Sequence, residues 1–303
     1  MSEQKPKAGA SNAKIISFIV ILSFICALIL SVLSSALQSA QTVARELDRS
    51  KEMMIAARIL NHDGYFQIQK NGEYVPARME SGGILVEGKP ENPPDRDEII
   101  AVYRQRFRPL FVNSKGETLT LEESGIDLQE YIDKYKKTGY YKEPLKLLYE
   151  ILPNIKDNQK ADPIGYVFPV NGYGLWDAIY GYIAIKPDGN TVIGISWYEQ
   201  KETPGLGANI SEAEWQRQFY GKHIFQPSPD GDTNFQTASL GIIVVRGKVE
   251  EVLGNTPKSI SAVDGMAGAT LTGNGVEKAY KDVLNAYRPF LLRLHQQYVK
   301  SQN

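Results

Sequence analysis

Three short glycine-rich turns hold the residues of this sequence whose types and spacing best suit chemistry. In the first, Asn171-Gly172-Tyr173-Gly174-Leu175-Trp176-Asp177, the glycines let the backbone turn sharply and set Leu175 and Trp176 at a loop end. An indole there has the area and the electronic character to stack on a flat ligand. The second, Glu202-Thr203-Pro204-Gly205-Leu206-Gly207-Ala208, is a rigid proline turn directly after the strand-like run TVIGISWYEQ. Its main-chain N–H groups suit the polar edge of a flat ring, and Leu206 suits its face. The third, Asp264-Gly265-Met266-Ala267-Gly268-Ala269-Thr270-Leu271-Thr272, stands just before the last helical run. Unpaired N–H groups and the positive dipole end make such a position fit for a phosphate. Each turn also admits a plainer reading: Trp176 as a loop anchor, the second turn as a strand-to-helix connection, and Thr270 or Thr272 as a helix cap.

Composition narrows the chemistry. The chain of 303 residues has one cysteine, Cys26, which excludes an intramolecular disulfide framework and any cysteine-rich metal or cluster site. Redox chemistry would have to come from an organic cofactor. His62, His223 and His295 are far apart and in no ligand spacing, so no metal site is expected. No Ser or Cys, His and acid arrangement emerges, and no catalytic side chain is assigned. With 34 basic and 35 acidic residues, a formal charge of −1 gives no reason to expect nucleic acid.

The elements that position these turns follow from patterning. An uncharged apolar run from Ile15 to Leu37 is long enough to span a bilayer, and residues 14–37 are read as a transmembrane helix after a cytoplasmic tail, residues 1–13. A cleaved signal peptide, with Ser34-Ser35-Ala36 as the processing site, is the alternative, but the run exceeds the usual length of such a core. Lys5, Lys7 and Lys14 before the span are balanced by Arg45, Arg49 and Lys51 after it, so charge barely orients it. Residues 38–160 are expected to form a membrane-proximal helix through Ile59, a hairpin around Asn71-Gly72, and an elaboration without chemistry, with helices around Leu128–Lys136 and Pro144–Leu152. Residues 161–303 read as the binding domain. IGYVFPV, AIYGYIAI, TVIGISWYE and LGIIVV are predicted strands, with a turn at Lys186–Asn190. A capping box at Ser211–Glu214 is predicted to open a helix toward Tyr220, and an amphipathic helix to run from about Thr272 to Tyr298. Strands followed by helices predict an α+β class, an antiparallel sheet with flanking helices.

In this order, behind an N-terminal anchor, the three turns resemble the family of FMN-binding C subunits of sodium-translocating NADH:quinone oxidoreductases. The resemblance covers the anchor and about residues 162–298. It implies an extracytoplasmic domain carrying FMN covalently, as a phosphoester on Thr270. Asp264, Gly265, Gly268 and Ala269 match the signature read by a flavin transferase, with Leu271 and Thr272 following. Ala267 stands where the family usually has Ser or Thr. The resemblance further implies that Trp176 and Leu206 flank the isoalloxazine, that Leu175, Glu202, Thr203, Gly205 and Gly207 lie near it, and that Arg246 is a nearby cation. The implied role is that of a one-electron relay from NADH toward ubiquinone, coupled to sodium export. It would act as one subunit of a translocase with subunits A, B, D, E and F, in a bacterial inner membrane with its folded part on the periplasmic side. Two alternatives stand beside it: the G subunit of the related Rnf complex, and a membrane-anchored interaction module without a cofactor. GYGLW and the extended membrane-proximal helix favour the quinone-reductase branch.

Overall fold

The computed structural model describes residues 12–302; the tail expected to precede the apolar run, with Lys5 and Lys7, falls almost wholly outside them. Two compact units divide the chain after Asp48. The first is the greater part of α1, Asn12–Ala56. Its stretch Lys14–Leu37 is the one helix among the described residues long and apolar enough to cross a membrane. At 1.5 Å per residue it extends about 36 Å, somewhat more than a hydrocarbon core. Its large apolar side chains, Ile15 through Leu37, are all exposed, which only a nonaqueous surrounding tolerates in such a number.

The second unit, residues 49–303, is built on a six-stranded antiparallel sheet in the order β5-β4-β6-β7-β8-β9. The strands are β4 Phe107–Val112, β5 Thr118–Leu119, β6 Lys146–Ile151, β7 Gly165–Tyr173, β8 Ala178–Ile185 and β9 Val192–Glu199. A separate three-stranded sheet, β1 Gln67–Lys70, β2 Glu73–Met79 and β3 Leu85–Glu87, contains the hairpin expected at Asn71-Gly72. Helices α2, Arg96–Arg106, and α3, Leu121–Ser124, follow, and residues Leu128–Tyr135 form the predicted helix, α4, capped by Asp127.

The segment around Pro144–Leu152 is not a helix. Its core is β6, paired with β4 on one side and β7 on the other, and every residue of it is buried. The sheet is covered on both faces, so this central strand is buried on both sides, Lys146 and Glu150 included, and loses the alternation that would have marked it. The boundary expected at 160/161 consequently falls between two adjacent strands of one sheet.

One face of the sheet is closed by α7 Thr270–Ala286 and α8 Arg288–Gln302. Phe168 meets Tyr287 edge-on at 5.0 Å, and Trp197 meets Tyr280 at 5.4 Å. Trp197, Phe219, Tyr280 and Tyr287 are fully buried, and truncating any of them to alanine should cost about 3–5 kcal/mol. The single long helix expected at the C-terminus is broken at Tyr287, whose φ of −96° and ψ of 3° leave the helical region just before Pro289. On the other face, the last turns of α1 lie against β9: Ser196 donates to Glu52, and a Cβ at Gly194 would sit 2.6 Å from the Ala56 carbonyl oxygen.

Two further expectations are corrected. LGIIVV does not join the main sheet; only Ile243–Val244, β10, is extended, and it pairs in parallel with β11, Ala262–Val263. Ser211 closes a 3-10 turn instead of capping a helix, and the short helix α5, Ala213–Arg217, starts after Glu212 and ends before Tyr220. At the sheet edges, β5 has two residues, and the start of β9 is engaged by bonds from Val192 N–H to Lys222 O and from Gly221 N–H to Val192 O.

Candidate functional site

The parallel pair β10–β11 leads into the two loops that carry Arg246 and Asp264, and α7 begins just beyond. Val245 N–H donates to Val263 O at 3.1 Å and Gly265 N–H to Gly247 O at 2.9 Å, extending the pairing into both loops. Asp264 is consumed by these loops. Its carboxylate accepts Val249 N–H at 2.8 Å, capping α6, Val249–Val252, and Lys248 Nζ at 2.9 Å. Its own N–H donates to Gln218 and its carbonyl accepts Trp215 Nε1. Burial pushes this carboxyl up, but the Val249 amide and the Lys248 ammonium outweigh it and hold the group below its usual range.

The chain then turns through Met266, Ala267 and Gly268, whose φ of 72° favours glycine, to Ala269. Ala269 is the helix N-cap, and no side chain caps α7. Thus neither Thr270 nor Thr272 is a capping residue, and the first turn keeps the unpaired donors that suit an anion. The two threonines differ sharply in surroundings. Thr270 and Leu271 are exposed, whereas Thr272 is buried and donates its hydroxyl proton to Glu202.

Glu202 gathers the other two turns around that bond. Its carboxylate accepts Leu175 N–H at 3.1 Å and Trp176 N–H at 3.0 Å, while Thr203 Oγ1 accepts Trp176 Nε1 at 3.2 Å. The residue is only 5% exposed, and only glycine on either side admits its carboxylate: a Cβ at Gly174 would lie 2.4 Å, and one at Gly207 2.7 Å, from its oxygens. Gly205 lies in the turn between Thr203 and Leu206, and Leu206 reaches Gly268, where a Cβ would meet its Cδ2 at 2.9 Å. All three turns therefore converge, and the Glu202 carboxylate is held at their centre by the chain's own donors.

A cavity of about 740 Å³ opens beside Thr270, walled by Trp215, Arg246, Lys248, Asn209, Asn274 and the stretch Gly265–Thr270, Ala267 included. That volume lies within the range of small-molecule sites. Leu175, Trp176 and Leu206 are not among its walls. With Tyr173 and Leu271 they make exposed apolar points, Trp176 at 68% and Tyr173 at 72% exposure, on the side of the turns tied by Glu202. Lys248 is paired with Asp264, whereas none of the ion pairs found among the described residues uses Arg246. Sequence reasoning passed over Trp215, Asn209 and Asn274. Asn274 carried a signal, since it stands four residues after Thr270 on one helix face; Trp215 and Asn209 reach the cavity only through the tertiary fold.

An uncapped helix start, a cation outside those ion pairs and a cavity between them fit an anionic, phosphate-bearing ligand. Comparison with known proteins points the same way. A family model of the FMN-binding domain matches residues 174–285. The C subunit of the Na(+)-translocating NADH-quinone reductase of Chlamydia caviae is 39% identical over 96% of this chain and 96% of its own length. That of Chlamydia pneumoniae is 40% identical over 92% and 91%, and that of Vibrio anguillarum 30% over 94% and 95%. A crystal structure of the corresponding protein from Parabacteroides distasonis shares the fold, with a TM-score of 0.52 and 23% identity, covering 84% of this chain and 96% of that one.

Proposed function

Since the chain belongs to the family of Na(+)-translocating NADH-quinone reductase C subunits, we propose that it carries FMN as a phosphoester on Thr270. In that complex it relays electrons from NADH toward ubiquinone, coupled to sodium export. One observation carries the choice of residue: of the two hydroxyls in the loop, Thr270 is open to solvent and Thr272 is buried and bonded to Glu202. The first turn of α7 would receive the phosphate, with Arg246 as its nearby cation. Trp176 and Leu206 are the apolar surfaces against which the ring would rest. The bound flavin supplies the electron-carrying chemistry, and the chain supplies attachment, position and electrostatics. No general acid, base or nucleophile of the protein is required.

The apolar helix anchors the chain in a bacterial inner membrane, with the folded unit on the periplasmic side, where a tethered cofactor cannot be lost. Subunits A, B, D, E and F are its partners, and a flavin transferase loads it. Full-length likeness to quinone-reductase subunits favours this reading over the Rnf-type one, and the FMN-binding match disfavours an interaction module without a cofactor. The test is a denaturing gel of protein made with the transferase present, followed by mass measurement of the AGATLT peptide. A fluorescent band and an FMN adduct on Thr270, both abolished in Thr270→Val, are expected. An unmodified peptide refutes the assignment.

A further inference from the structure

We propose that Glu202 and Thr272 form a positioning clasp that couples the acceptor helix to the Leu175–Trp176 loop, so that where α7 begins determines where the indole sits. This rests on the reading of Thr270 as the attachment point, but its core is independent of any cofactor. A carboxylate buried to this extent is costly to desolvate and is tolerated only with good donors. Here the donors come from two separate places, Leu175 and Trp176 N–H on one loop and Thr272 Oγ1 on the helix, and they converge on a single group. Leu175 N–H and Thr272 Oγ1 address the same oxygen, Oε2, which makes the link direct. A second bond, Trp176 Nε1 to Thr203 Oγ1, ties the indole itself to the residue after Glu202. Gly174 and Gly207 bound the carboxylate closely on either side, which leaves it little room to move without dragging one of the loops. The charge of Glu202 is accordingly spent on the protein's own donors, not on a ligand.

The experiment compares the full chain in detergent with Thr272→Val, Thr272→Ser and Glu202→Gln, each with and without prior flavin loading. In the unloaded protein, Thr272→Val should raise amide hydrogen exchange at Leu175 and Trp176 by about tenfold, the scale set by losing one charge-assisted hydrogen bond. Thr272→Ser, which restores the hydroxyl, should return it to the parent rate. In the loaded protein, Thr272→Val should keep the mass adduct on Thr270 yet shift the flavin absorption spectrum and midpoint potential in the direction produced by Trp176→Ala; Thr272→Ser should restore both. Glu202→Gln, which places an amide NH2 against one of the donors, should reproduce the exchange change if Thr272→Val proves too unstable to isolate. Unchanged exchange at both amides in Thr272→Val, or in Glu202→Gln where that substitute is used, overturns the clasp. So does a spectral change that Thr272→Ser fails to reverse. Absence of an adduct in the parent chain would count against the attachment at Thr270 alone, since the exchange comparison still decides the clasp.

Discussion

Replacing Gly275 by alanine sets two opposed effects of known size against each other. Gly275 lies inside α7, where alanine is intrinsically better by about 0.5–1 kcal/mol. Yet a Cβ there would sit 2.1 Å from the carbonyl oxygen of Tyr173, at the end of β7. A carbon–oxygen contact needs about 3.3 Å, so the beginning of α7 must retreat by roughly 1 Å or the strand end must yield. The oxygen belongs to backbone, not to a pliable side chain, and overpacking of this kind costs about 1–3 kcal/mol. Sterics should win, with a net loss of about 1–2 kcal/mol and a fall in Tm of about 2–8 °C for a unit of this size. Because Thr270 is on the displaced turn, flavin attachment should slow as well. Gly273→Ala is the internal control: its nearest obstacle is Val244 Cγ1 at 3.1 Å, a methyl that can rotate away, so stability should stay within about 0.5 kcal/mol of the parent. Urea unfolding followed by tryptophan fluorescence, together with the rate of fluorescent labelling, measures both effects. A Gly275→Ala protein as stable as the parent, labelled at the parent rate, would refute the idea that glycine holds the helix start against the strand.

Further outcomes can be checked in the same preparation. Trp176→Ala should keep the adduct on Thr270 but alter the reductive titration of the flavin, since stacking tunes the ring and does not make the ester. Tyr287→Phe removes a buried donor to Leu147 O at 2.6 Å and should lower the unfolding free energy by about 1–2 kcal/mol in a denaturant titration. Burial pushes the Glu202 carboxyl up, but the Thr272 hydroxyl and the Trp176, Leu175 and Asp177 amides together hold it below the usual 4.5. Its contribution is therefore present above pH 4.5 and lost as pH falls through the folded value, and Glu202→Gln should flatten that acid limb in a stability–pH profile. Arg246→Ala should slow flavin loading by the transferase, read as fluorescent product against time.

Much of this organisation was legible in the residues. The apolar run, the Asn71-Gly72 hairpin, the strands that became β7, β8 and β9, and the helix after the third turn all declare themselves through local patterning. What stayed hidden depended on neighbours far away in the chain. KLLYEI carries apolar residues at spacings that a helix also uses, and only its burial between β4 and β7 makes it a strand. LGIIVV has the composition of a strand, but just two of its residues form a ladder, and Leu240 makes only an isolated bridge to Phe225. At the site, the types of the residues suggested a ring and a phosphate, while the network around Glu202 had no local signal. A carboxylate in a glycine-rich turn does not disclose donors that lie from 26 to 70 residues away in the chain.

The margins of the main sheet bear on how a subunit of this kind joins an assembly. A protein can recruit a neighbour by lending it an unpaired strand; here β5 flanks only Phe111 and Val112 of β4, and β9 is engaged where it starts. A neighbour that does not use what remains of these margins must read side chains and turns. Such contacts can form and part without unravelling any hydrogen-bonded ladder.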